Sequence, residues 1–318
     1  MLAGEYKTAI EYLGMAAAKE PENATNHFKL FRVHQRMRKY ADALNDISKA
    51  LDLKPESQQY RLQKVKLLKS LGQCDQAVQE LPLLEGNPSM KEEVHACAQA
   101  VAEAQQAIFD ERWSDAANYL ESAMRHVEQA TDLTFQRAQA LFHLGDYFGT
   151  ISDLGRVLKA HSNNIEAYEL RGRAYIRLGE HPAAINHFRE GLKLDPEHKG
   201  CKKGHKFVKS IDKKNKRGDD AFEKEEYAEA ISYWWQAINV DPTHLAFFRP
   251  TLLKVVKAHT KLGEHDKAIE EANKHVNNLE TVEGLIALGD AQLAAEKFDE
   301  AVRTFHRAVE VAVSVQGR

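Results

Sequence analysis

Residues 166–180 read EAYELRGRAYIRLGE. Gly172 in this stretch lies twelve residues before Ala184, and Ala184 is one of nine stations of a pattern that runs the length of the chain. The other stations are Ala9, Ala43, Ala77, Ala116, Thr150, Ala230, Ala268 and Ala301. The interval is 34 residues from Ala9 to Ala43 to Ala77, and again from Ala116 to Thr150 to Ala184. Three residues ahead of each station stand Tyr6, Tyr40, Cys74, Trp113, Tyr147, His181, Tyr227, His265 and Phe298. Four residues after stand Leu13, Ile47, Leu81, Leu120, Leu154, Phe188, Trp234, Ala272 and Phe305. Spacings of three and four place these groups on one helical face. An alanine at the centre of such a face marks a place where two helices cross closely. The position twelve residues earlier is a second station. It is small in Ala104, Ala138, Gly172, Gly218 and Gly289, and larger in Phe31, Val65 and Val256. All of these read as packing residues, Trp234 and the tyrosines included.

A period near 34 built from helical faces is the signature of stacked helix-turn-helix units of the tetratricopeptide type. The expected fold is all-α: a solenoid of about nine such repeats, in three triads joined by long helices. Pro21, Pro55, Pro196 and Pro242 each fall twelve residues after a station, where the second helix of a repeat must end. Pro182 and Pro250 are expected in first helical turns, where a missing N–H costs nothing, and Pro88 in a turn. Pro82, inside a predicted helix, should kink or shorten it.

Residues 166–180 match the tetratricopeptide consensus nearly throughout. The stretch 192–211, LKLDPEHKGCKKGHKFVKSI, is more specific. It resembles the joint after the sixth repeat in the DnaJ subfamily C co-chaperone of the endoplasmic reticulum lumen, the protein kinase R inhibitor family. Nine repeats in three groups of three is also that family's layout. The resemblance implies a luminal module that binds unfolded or misfolded polypeptides. It also implies transfer to a luminal ATPase chaperone through a J domain, with a protein kinase as a further partner. A J domain carries a His-Pro-Asp tripeptide, and the nearest match here is His181-Pro182-Ala183. The first residues, Gly4 to Tyr6, read as the turn before a second helix. The chain is therefore expected to be that family's repeat region without its signal peptide and J domain.

Composition bounds the alternatives. A net charge of −3 over 318 residues does not advertise nucleic acid, and no apolar run approaches the roughly 18–20 residues that span a bilayer. Cys74, Cys97 and Cys201 are too few and too separated for a disulfide framework or a zinc site, and are expected as buried thiols. There is no phosphate loop, no paired zinc histidines on a helix and no nucleophile elbow. No enzyme activity, cofactor or metal is expected. Asn23-Ala24-Thr25 forms a glycosylation sequon in a predicted turn.

Two intervals break the period: 39 residues from Ala77 to Ala116 and 46 from Ala184 to Ala230. They divide the chain into expected triads at 1–90, 91–210 and 211–318. Neither joint is rich in Pro, Gly or Ser, so both read as helix. Residues from about Glu197 to Lys224 are expected as one rod. At about 100° per residue, five extra residues rotate the next triad by about 140°, and twelve by about 120°. Three short grooves are expected in place of one channel.

The first helices of the repeats line the groove. One slot there holds Phe28, Leu62, Val101, Phe135, Leu253 and Ile286, and apolar residues in line suit apolar segments of unfolded chains. In the first triad Arg32, Arg36, Lys66 and Lys69 flank this slot. Phe28, Arg32, Leu62 and Lys66 are the candidate client-binding residues. A two-carboxylate clamp for chaperone tails is not matched. Its positions in the last triad hold Asn215, Asp219, Lys254, Glu283 and Ala287, and the acids would repel a carboxylate. Residues 199–217 hold nine Lys or Arg against one acid, Asp212. Lys202, Lys203, Lys206 and Lys209 in this run are candidate contacts to one folded partner, the alternative being a scaffold or kinase regulator. No aromatic pair is interleaved there to stack bases, so no nucleic-acid partner is expected.

Overall fold

The computed structural model describes residues 2–125, 127 and 129–316. Among them it has seventeen α-helices, one 3-10 turn and no strand. Helix α1 (Leu2–Lys19) precedes eight helix pairs. In unit 1–162 these are α2 (Ala24–Arg36) with α3 (Tyr40–Leu53), α4 (Gln58–Ser70) with α5 (Cys74–Glu80), α6 (Pro88–Phe109) with α7 (Trp113–Met124), and α8 (Thr131–Leu144) with α9 (Tyr147–Ala160). In unit 163–318 they are α10 (Ile165–Arg177) with α11 (His181–Leu194), α12 (Lys199–Glu223) with α13 (Tyr227–Ile238), α14 (Leu245–Lys261) with α15 (His265–Asn278), and α16 (Val282–Ala294) with α17 (Phe298–Gln316). The nine stations fall on α1, α3, α5, α7, α9, α11, α13, α15 and α17, the second helices of the repeats. There is no single core. Apolar clusters repeat between neighbours, as in the group around Phe31, Ile47 and Tyr60 and the group around Trp234, Ala230 and Val255.

In five repeats the two helices fit by trading volume. A Cβ added to Gly172 would stand 2.7 Å from the Phe188 ring, one on Gly218 2.5 Å from the Trp234 ring, and one on Gly289 2.6 Å from the Phe305 ring. Where the earlier station is alanine, at Ala104 and Ala138, its counterpart sixteen residues on is Leu120 or Leu154, all four fully buried. In these five repeats glycine on the first helix faces an aromatic ring on the second and alanine faces leucine, which holds interior packing near its natural density. Phe31, Val65 and Val256 face Ile47, Leu81 and Ala272 and follow no such trade.

A second regularity sits five residues before each station from Ala43 onward. Arg38, Gly72, Glu111, Gly145, Gly179, Glu225, Gly263 and Glu296 all have positive φ, between 55° and 82°. Each ends a first helix with the left-handed residue that turns the chain into the second. Glycine is the low-strain choice there, and half the turns do without it.

Several expectations meet the helices directly. The rod is continuous: α12 runs 25 residues from Lys199 to Glu223. Its glycines serve packing, Gly204 against Phe188 and Gly218 against Trp234. The first joint is the 22-residue α6. Pro82 shortens its helix, since α5 has 7 residues and gives way to a 3-10 turn at Leu81–Leu83.

Four details differ. Gly4 to Tyr6 is helical, because α1 already starts at Leu2. Pro88 opens α6 at its first position instead of lying in a turn. Pro250 lies inside α14, not in its first turn. The Asp241 carboxylate accepts from the Thr243 N–H at 2.9 Å and hydroxyl at 2.6 Å, and closes the preceding turn early, so that the helix starts at Leu245. The fourth concerns the cysteines. Cys201 is a buried thiol, its pKa pushed up to about 11 by burial and then by Glu169. Cys74 and Cys97, however, form a disulfide, with Cα atoms 5.9 Å apart. Cys74 occupies the aromatic position of its repeat and Cys97 faces it from α6, both fully buried. Packing α5 on the extended α6 brings them within bonding reach, and neither residue's spacing announces it.

Candidate protein-binding surfaces

In the first repeats the candidate groove is built on α2 and α4. Phe28 stacks on Tyr60 with ring centroids 4.7 Å apart and on Phe31 at 5.7 Å, so it is half-buried. Leu62 is half-buried against the cluster of Val65, Leu68 and Ala77. Arg32 and Lys66 are exposed. Arg32 and Arg36 stand with Tyr6, Leu13 and Val33 around a shallow hollow of about 330 Å³ between α1 and α2. Lys69 differs from its neighbours because Glu93 on α6 neutralises it. Arg61, next to Leu62, is buried and spent on Glu80 at 2.6 Å and the Pro55 carbonyl at 2.6 Å. The four candidate client residues thus line one side of α2 and α4, two apolar and half-covered, two cationic and exposed.

The same slot in the last repeats forms a deeper hollow of about 520 Å³ between α14 and α16. Leu253, Ile286 and Ala287 supply its apolar surface, and Ile286 is 44% exposed. Lys257 and Lys261 stand on one wall, Glu283 and Asp290 on the other. The clamp positions nearby are used up internally. Lys254 Nζ donates to Asp219 at 2.7 Å and to Asn215 at 3.3 Å, and Trp234 Nε1 donates to Asp219 at 3.0 Å. A carboxylate arriving there would meet a lysine already paired.

On α12, Lys202, Lys206, Lys209, Lys213 and Lys216 recur at four- and three-residue steps, and Lys202, Lys203 and Lys209 stand exposed. Cys201, Val208, Ile211 and Gly218 are buried on the opposite face. Lys202 pairs with Glu197 at 2.7 Å. His205 beneath the row has its pKa lowered, first by burial and then by Lys209 and Arg189.

A buried polar cluster in the same unit is structural. His181 Nδ1 lies 2.5 Å from Asp212, and His181 Nε2 lies 3.1 Å from His244 Nε2. With the Asp212 carboxylate accepting from Nδ1–H, a neutral His181 ring accepts at Nε2 from the His244 Nε2–H. Burial, and then His181, pushes the His244 pKa down to about 4. Among the described residues no group of three or more His, Cys, Asp or Glu is placed to hold a metal, and no helix is long and apolar enough to cross a membrane.

The tetratricopeptide repeat family pattern matches residues 165–198 and 285–318. The helix pairs, their 34-residue stations and these two matches coincide. The fold is a tetratricopeptide-repeat solenoid. The chain is similar to the DnaJ protein P58IPK homolog of Arabidopsis thaliana, at 28% identity over 95% of this chain and 63% of that protein. It is also similar to DnaJ homolog subfamily C member 3 of Bos taurus, at 26% identity over 98% of this chain and 64% of that protein. The chain therefore spans a little under two thirds of the length of these relatives. The crystal structure of the P58(IPK) TPR domain superposes with a TM-score of 0.71 at 23% identity, covering 100% of this chain and 96% of that one. At that identity the match concerns the fold. The relatives bear out the resemblance carried by residues 192–211.

Proposed function

We propose that the tetratricopeptide-repeat region is a co-chaperone module. It holds unfolded or misfolded polypeptide segments on the groove lined by Phe28, Arg32, Leu62 and Lys66, for delivery to a luminal ATPase chaperone. The similarity to DnaJ subfamily C proteins along nearly the whole chain carries this reading. Half-covered apolar side chains flanked by exposed cations suit segments that are apolar with scattered acids. The Cys74–Cys97 disulfide supports a lumen that is oxidising, since such bonds persist there and are rare in the cytosol. The division into triads at 1–90, 91–210 and 211–318 is part of the same proposal.

The test is suppression of aggregation of a chemically denatured client by the purified chain. Phe28→Glu with Leu62→Glu should abolish most of it while circular dichroism stays helical, and Ile286→Glu should leave most of it. A parent chain that protects no client, or a folded double variant that protects as well, sinks the proposal.

The lysine row on α12 favours a second reading, a scaffold or kinase regulator docking one folded partner through Lys202, Lys203, Lys206 and Lys209. Changing the four to Glu should then remove a single stoichiometric partner in pull-down and leave client protection intact.

A further inference from the structure

A hollow of about 750 Å³ lies in unit 1–162, away from the groove slots. Four stretches of chain build it: the first turns of α3, the turn between α4 and α5, the entry to α8 and the end of α9. None of them belongs to the groove-facing slots of α2 and α4, and nothing in the repeat pattern points to it.

The walls are set in place by the fold. The Gln129 N–H donates to the Ser70 carbonyl at 2.9 Å, which ties the entry of α8 to the α4–α5 turn. Gly72 in that turn has φ +78°, and a Cβ there would stand 2.8 Å from Ala130 and 2.9 Å from Leu133. The turn therefore docks flush on α8. His161 at the end of α9 reaches Thr131 Oγ1 at 3.1 Å and closes a third side. The volume is in the range of ligand sites, about 300–1,000 Å³.

The lining has a definite chemistry. Leu44, Leu71 and Ala41 give an apolar surface. Arg38 and Lys159 are exposed at the hollow, and neither makes an ion pair among the described residues. Asp132 is the one carboxylate in the lining. α3 and α8 both begin at the hollow, and neither of their N-cap residues, Lys39 and Ala130, makes a side-chain cap hydrogen bond. Uncapped helix starts add to the attraction for negative charge. Between cations and apolar surface stand side-chain amides, Asn45, Gln73 and Gln129, which offer both donors and acceptors.

We propose that this hollow binds an acidic peptide segment, with an apolar side chain on Leu44 and Leu71 and a carboxylate at Arg38 and Lys159. A peptide fits better than a bare anion because the lining asks for three things at once: negative charge, an apolar body, and a backbone that both donates to and accepts from the amides. None of Phe28, Arg32, Leu62 and Lys66 lines the hollow, so the two sites are tested with different variants.

The probe is a fluorescein-labelled hexapeptide of alternating leucine and glutamate, titrated by polarisation into the full chain at low salt. The variant is Arg38→Glu with Lys159→Glu. Both residues are exposed, and glutamate already holds the left-handed conformation of Arg38 at Glu111, Glu225 and Glu296, so the fold is retained. Reversing two charge contacts should weaken binding roughly tenfold or more. Binding should be unchanged by Ile286→Glu and by Arg32→Glu with Lys66→Glu, both exposed groove residues. Five outcomes overturn the proposal. They are no saturable binding by the parent, equal binding by the double variant, equal binding of the leucine–lysine hexapeptide, displacement by inorganic phosphate alone, and loss in the groove variants, which moves the peptide to the groove. Client protection is a separate readout, so failure here and failure of the co-chaperone reading are distinguishable.

Discussion

The volume trade between the two helices of a repeat can be tested at Gly218. An alanine there places Cβ 2.5 Å from Cδ1 and from Nε1 of Trp234, and 2.9 Å from Cγ. The ring has nowhere to go. It is 2% exposed, its Nε1 is held by Asp219 at 3.0 Å, and the Lys254 ammonium sits 5.8 Å from its centroid. Overpacking of this kind costs about 1–3 kcal/mol, while exchanging glycine for alanine in mid-helix returns up to about 1 kcal/mol. Gly218→Ala should therefore lose about 1–2 kcal/mol. Gly14, in α1 with nothing within 4 Å of an added Cβ, should go the other way and gain up to about 1 kcal/mol on Gly14→Ala. Adding Trp234→Leu to Gly218→Ala recreates the alanine–leucine pairing of Ala104 with Leu120. The double variant should be at least about 1 kcal/mol more stable than the sum of the single losses, the coupling expected of residues in contact. A solenoid need not unfold in one step, so the measurement is hydrogen exchange of α12 and α13 amides by mass spectrometry. Additive losses, or a neutral Gly218→Ala, would falsify the packing rule.

Thiol titration of the denatured, unreduced chain should give one thiol, Cys201, and three after reduction; three without reductant removes the disulfide. Reduction should lower the stability of unit 1–162 by about 3 kcal/mol, the chain-entropy estimate for a loop closed across 23 residues, read as a fall in its urea midpoint. Acid should loosen unit 163–318 first. His187 and His244 have pKa values lowered to about 4, and His275 is lowered too, each first by burial. The unfolded state then binds more protons between about pH 6.5 and 4, so stability is full above about 6.5 and falls through that window, by up to about 3 kcal/mol for His244 alone. Amides of α10–α16 should exchange faster at about pH 5 than at about pH 7, after correction for the intrinsic rate, and earlier than those of α2–α5; the reverse order contradicts it. Glu225→Gly should raise the stability of the α12–α13 pair by up to about 1 kcal/mol by relieving the left-handed φ of 62°, and a loss on exchange or melting contradicts that.

Much of the fold could be read from spacing alone, because a repeat announces every packing position several times over. The stations, the turn prolines and the unbroken α12 all follow from three–four periodicity, and the repeats average out any one unusual residue. What could not be read depended on pairs far apart in sequence or on the exact phase of a turn. Cys74 and Cys97 meet only because α5 packs against α6, and the two residues stand 23 apart in sequence. Pro250 fell inside α14 because the Asp241–Thr243 turn closes early. Of the candidate sites, Arg32 and Lys66 stand exposed as their positions imply, while Phe28 is half hidden by Tyr60 from the next repeat. The hollow at Arg38 and Lys159 left no trace in the pattern. Its walls come from four turns and helix ends, where a periodic signal carries the least information.

α12 belongs to two neighbourhoods at once. Its first half packs on Phe188 through Gly204, and its second half on Trp234 through Gly218. Single substitutions along its lysine row alter neither contact. A one-residue insertion or deletion between Gly204 and Gly218 is different in kind. It shifts the second contact by about 1.5 Å along the axis and about 100° around it, so that Trp234 faces Arg217 or Asp219 in place of glycine. The helix is thus permissive toward point changes and closed to changes of length, and in a set of natural variants its residue count should hold constant while its surface letters drift.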